Sequence, residues 1–107
     1  MIWRGFVMAA TLWLSWPLQA ADVAAELWDR PRSAQAVMAQ PAVQQAVAAY
    51  QTRGTTRIVI THGAGHEALL QAEELRAWLV ALAIDGARVQ LRADPAAAAV
   101  LRIEVNN

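Results

Sequence analysis

The sequence predicts an α/β fold of the α+β kind: a small mixed sheet of about three strands, covered on one face by two helices, in the order α-β-α-β-β. Three observations carry this expectation. Residues 57–61 form a short run rich in branched side chains, too short for a stable helix. Residues 67–84 repeat apolar side chains at spacings of three and four. Residues 88–92 and 101–105 alternate apolar with polar positions.

The first twenty residues have the composition of an address. Arg4 supplies a positive start, residues 6–16 are apolar, Pro17 interrupts, and Leu18, Gln19 and Ala20 end on a small side chain, which is the order of a secretory signal peptide. The apolar run is 11 residues long, against the roughly 20 needed to cross a bilayer as a helix. Cleavage is expected between Ala20 and Ala21, giving a periplasmic or secreted chain without a membrane span. Residues 21–40 read as an amino-terminal arm with a short helix, and residues 41–107 as a single α/β domain.

In the arm, Trp28 is expected to plug the core, and Ser33 to cap a helix reaching Met38. Pro41 suits a first helical turn, and Val43, Val47 and Tyr50 share one face of a helix running from Ala42 to about Thr52, which Gly54 ends. Ile58, Val59 and Ile60 have no polar alternation and predict a central strand buried on both faces. After the turn His62-Gly63-Ala64-Gly65-His66, a helix is expected from His66 or Glu67 to Ile84, its sheet-facing stripe being Leu69, Ala72, Leu75, Leu79 and Leu82. Asp85-Gly86 is expected to stop it. Val89 and Leu91 should face the core from the next strand, and Leu101, Ile103 and Val105 from the last. A helical crossover joins parallel strands, whereas the short alanine-rich connector after Asp94-Pro95 suits an antiparallel return.

Composition removes several classes of activity. Nine arginines balance nine acids and lysine is absent, so no field of one sign favours nucleic acid. Without cysteine there is no disulfide, thiol nucleophile or thiolate metal site. Ser33 is the only serine after the leader and lies far in sequence from either histidine, which argues against a serine nucleophile. Glu73 and Glu74 are adjacent on a helix and point about 100 degrees apart, so they cannot act as a facing acid pair. With Arg76 they read as a solvated polar face. The chain is therefore expected not to be an enzyme.

The strand-to-helix turn is the candidate site. His62, Gly63, Gly65, His66 and Glu67 stand where first-turn amides are free of helical partners, with Gln71 one turn further along the helix. His62 and His66, four residues apart, could hold zinc only with further ligands that the sequence does not supply, so no metal or other cofactor is assigned. The apolar second half of the same helix suggests a partner or homodimer interface, with Trp78 at its centre.

Several local patterns resemble the OmpA-like domain, a periplasmic fold known for binding peptidoglycan. Residues 58–63, Ile-Val-Ile-Thr-His-Gly, stand where that family has I-x-I-x-G-H-T-D. Gln71-Ala72 falls on its R-A step, Leu75 and Leu79 on the apolar positions behind it, Ala83-Ile84 on a G-I turn and Arg88-Val89 on an R-I strand start. Residues 101–105 match the closing strand. The resemblance runs from about Pro41 to Val105 and is most specific between Gln71 and Val89. It implies a binding module that recognises the charged ends of a peptidoglycan stem peptide through an aspartate and an arginine. Here glycine or alanine replaces the first and Gln71 the second, the loop is shorter, and the family's asparagine has no counterpart. The resemblance therefore implies a shortened domain with a reduced pocket, serving the cell envelope as a non-catalytic binding or interaction module for peptidoglycan or an envelope protein. The alternative is a metal- or anion-binding loop spanning His62 to Glu67.

Overall fold

A computed structural model describes residues 19–54, 56–96 and 101–106. Residues 1–18 of the expected leader and positions 97–100 of the alanine connector lie outside them. Among the described residues, four strands and three α-helices follow the chain: β1 (Gln19–Asp22), α1 (Ala34–Met38), α2 (Pro41–Arg53), β2 (Arg57–His62), α3 (His66–Ala81), β3 (Val89–Ala93) and β4 (Arg102–Asn106). Short 3-10 turns at Ala25–Asp29 and Gly86–Arg88 complete the order. The fold is the expected α+β class with one more strand.

The boundaries of the first helices follow from their sequence. Ser33 accepts the Ala36 N–H through its hydroxyl at 3.1 Å and starts α1. Pro41 occupies the first turn of α2, where its missing N–H costs nothing. Gly54 ends α2 at φ 69°, its N–H donated to the Tyr50 carbonyl, a conformation that is cheap for glycine.

The sheet order is β1-β4-β2-β3. β2 pairs parallel with β3 and antiparallel with β4, so it is central as expected. Ile58 and Ile60 stand level with Val89 and Leu91 on one side and with Val105 and Ile103 on the other, forming one apolar layer. α2 covers β1 and β4, and α3 covers β2 and β3, both on that layer. The core beneath them contains Val43, Ala46, Ile58, Ile60, Ala72, Leu75, Leu79, Ile103 and Val105.

Val59 and Thr61 are also buried, although they point to the face without helices. Their neighbours there are long: Gln90 and Glu104 flank Val59, and Arg92 and Arg102 flank Thr61. Arg92 donates to Glu104 at 2.7 Å and Thr61 to the same carboxylate at 3.2 Å. A bridged layer of long polar side chains thus covers the centre of the open face.

Three expectations require correction. The sheet has four strands, because β1 pairs antiparallel with β4 from Gln19↔Val105 to Asp22↔Arg102. Nothing in Gln-Ala-Ala-Asp announces a strand, and its pairing is imposed by the open edge of β4. The arm is part of the same core, to which it contributes Val23, Leu27 and Val37. α3 ends at Ala81 rather than Ile84: the Ala83 N–H is donated to Val80 and the Ile84 N–H to Leu79, a Schellman closure with Ala83 at φ 77°. Asp85 caps the following 3-10 turn, its carboxylate accepting the Ala87 N–H at 3.0 Å.

Candidate binding cleft

β2 ends at His62, and Gly63 to Gly65 carry the chain to α3. Gly65 stands at φ 115°, ψ 153°, backbone territory nearly closed to other residues, and among the described residues no side chain caps the helix behind it. The start of α3 therefore keeps amides with no side-chain acceptor. They open on a cleft of about 690 Å³ that includes Gly63, Gly65, His66, Glu67 and Gln71. All five belong to the loop and helix start singled out in the sequence.

The opposite wall comes from the arm, with Val23, Trp28 and Asp29, while Pro95 and Leu101 line it from the β3–β4 side. The arm is fixed at both ends. The Val23 N–H is donated to the Leu101 carbonyl at 2.8 Å, and the Ala24 N–H to the Gln40 side chain at 3.0 Å. Arg32 secures the other end with a two-pronged bond to Glu74 on α3, at 2.8 and 3.1 Å. Its guanidinium lies 5.4 Å from the centre of the Trp28 ring and also donates to the Trp28 carbonyl at 3.2 Å. The Arg32 bond, helped by the Trp78 N–H, holds the Glu74 carboxyl below the usual carboxylate range against a smaller opposing effect of burial. The same bond raises the Arg32 guanidinium above its ordinary value.

Two candidates, His62 and Trp78, lie elsewhere. His62 is buried and does not line the cleft; its Nδ1 lies 3.0 Å from the Gly63 carbonyl, which can only accept, so that nitrogen carries the proton. His66 lies on the exposed first turn of α3. No group of three or more metal-ligating side chains occurs among the described residues. Trp78 packs partly buried against the core and donates its N–H to Glu74 at 3.2 Å, which braces the indole against α3. The larger exposed apolar side chains are Leu70 and Val80.

The expected polar face around Arg76 is also rearranged. Glu74 pairs with Arg32, while Arg76 reaches across to the carbonyls of Gly86 at 3.0 Å and Val89 at 3.4 Å. Arg76 thereby ties α3 to β3.

Chemically, the cleft offers backbone amides, the Gln71 carboxamide, the His66 imidazole, one indole face and two carboxylates, Asp29 and Glu67. Among the described residues, no arginine lines it. Trp28 and Asp29 were the residues missed as site formers, their only sequence signal being an aromatic flanked by charge in Trp-Asp-Arg-Pro-Arg. No protein-family model, curated protein or solved structure matches this chain.

Proposed function

We propose that this is a small, non-catalytic binding module of the cell envelope, exported to the periplasm, whose site is the cleft between the Gly63–Gln71 segment and the arm. The observation that carries the reading is a preformed concave surface in which hydrogen-bonding groups of one segment face an aromatic side chain fixed from another. The leader supports the compartment, and the resemblance to OmpA-like domains supports peptidoglycan or an envelope protein as partner.

The electrostatics narrow the ligand. Amides at a helix start attract anions, but Asp29 and Glu67 oppose them in the same cleft and no arginine among the described residues assists. A neutral or cationic group suits this lining better than phosphate. The metal-dependent alternative also loses support, because His62 is buried and does not line the space that His66 and Glu67 border.

Purified sacculi test the glycan reading. The mature protein is expected to sediment with them, and a cleft filled by Gly63→Trp is expected to stay in the supernatant. Equal retention of both proteins in the supernatant ends the glycan reading, and equal sedimentation of both ends the assignment to this cleft.

A further inference from the structure

The bond expected to be cut on export lies inside a strand. β1 spans Gln19–Asp22 and is paired along its length, Ala20 opposite Glu104 and Ala21 opposite Ile103. The ladder continues past it, with the Val23 N–H donated to the Leu101 carbonyl at 2.8 Å. Antiparallel pairing alternates, so Ala21 and Ile103 form the next hydrogen-bonded pair, and the amide of the Ala20–Ala21 bond belongs to the ladder. Two further contacts hold the strand. Asp22 pairs with Arg102 at 3.0 Å on the open face, which raises the Arg102 guanidinium above its ordinary value, and Ala21 packs against the core on the other. Val23, immediately after, is 1% exposed.

From this placement we propose that folding and processing compete for β1: the Ala20–Ala21 bond is a substrate only while β1 is free of β4, and a chain that folds first is protected. This rests on reading the first twenty residues as a cleavable leader. The reaction is peptide hydrolysis, in which water adds across the bond and leaves a carboxylate on Ala20 and an ammonium on Ala21. A peptidase must take the bond into its own groove as a free extended segment, so β1 has to leave β4 first. Cleavage of the folded chain then follows the population of that open state. Once cut, the chain keeps Ala21 and Asp22 on β4 but loses the pairings Gln19↔Val105 and Ala20↔Glu104. The mature sheet is left with a shorter edge strand than the precursor has.

The test uses the folded full-length chain in detergent micelles, a synthetic peptide covering residues 12–28, and a bacterial signal peptidase, with products read by mass spectrometry. The peptide is expected to be cut between Ala20 and Ala21, and the folded chain at the same bond but slower by roughly tenfold or more, in proportion to its closed population. Ile60→Ala weakens the core without touching the cleavage sequence and is expected to restore rapid cutting, whether it loosens the sheet or unfolds it. Equal rates for peptide and folded chain overturn the proposal, as does an Ile60→Ala chain that stays as resistant as the parent. An intact peptide removes the export boundary itself, and the proposal with it, which separates that failure from the others.

Discussion

The two ends of α3 solve the same problem in opposite ways. At its carboxyl end the orphan carbonyls are met within the chain: Leu82 donates to Trp78, Ala83 to Val80 and Ile84 to Leu79, and Ile84 is buried beneath the closure. At its amino end no described side chain caps the helix, His66 and Glu67 are exposed, and the first turn borders the cleft. A helix end satisfied by its own chain contributes to stability alone. An end left open contributes less stability and keeps its donors available, so the cleft and the anchor of this helix lie at its two ends, about sixteen residues apart in sequence.

The strongest way to break that comparison is to hollow the anchor. Leu79 is fully buried under the closure, and Leu79→Ala is expected to cost about 2–5 kcal/mol by chemical denaturation. Leu70 is the same residue type on the same helix but 50% exposed, and Leu70→Ala should stay within about 0.5 kcal/mol. Similar losses at both positions would mean that the closed end is not the anchor.

Next in size is the opening itself. At Gly65 no described residue lies within 4 Å of where a Cβ would stand, so the expected cost of Gly65→Ala is backbone strain, roughly 1–3 kcal/mol. The loop should relax and the cleft change shape, while the Leu79 end keeps its slow amide exchange. If exchange at Ile84 accelerates with that at His66, the two ends are one cooperative unit and the contrast between them fails.

Ala83 sharpens the contrast from the other side. It occupies the position that glycine usually fills in a Schellman closure, so Ala83→Gly is expected to stabilise the protein by about 0.5–1 kcal/mol, read as a higher melting temperature. The same residue explains why the helix looks longer in the sequence than it is. Alanine at 83 hides the stop, and Gly86, which advertises one, instead leaves room for the Arg76 guanidinium, 3.0 Å from where its Cβ would be.

Legibility followed sequence distance. β2 and α2 could be read because branched residues, Pro41 and Gly54 mark them locally. β1 could not, since Gln-Ala-Ala-Asp has no strand preference and depends on an edge that is formed about eighty residues later. The loop half of the cleft was visible as glycines between a strand and a helix. The arm half was hidden, because it rests on Arg32 meeting Glu74, 42 positions away. The parallel crossover could be inferred from connection rules, whereas that ion pair follows from no local pattern.

The smallest effect concerns that ion pair, which fixes the arm relative to the open half of α3. Glu74 is held below the ordinary carboxylate range of about 4.3. A carboxylate with a lowered folded value binds fewer protons in the folded chain than in the unfolded one, so its contribution is full above the ordinary value. As pH falls through the lowered folded value, that contribution disappears. Glu74→Gln, which keeps the shape and removes the charge, should therefore melt a few degrees below the parent at neutral pH and converge with it under acid conditions. Trp28 gives the local reading: with Arg32 released, its emission should shift toward that of a solvated indole before the protein unfolds. A difference in melting temperature that stays constant down to acid pH would show that Glu74 acts by packing and not by charge. The wall of the cleft would then be held by Trp28 and Leu27 against the core, and the arm would owe its position to burial rather than to Arg32.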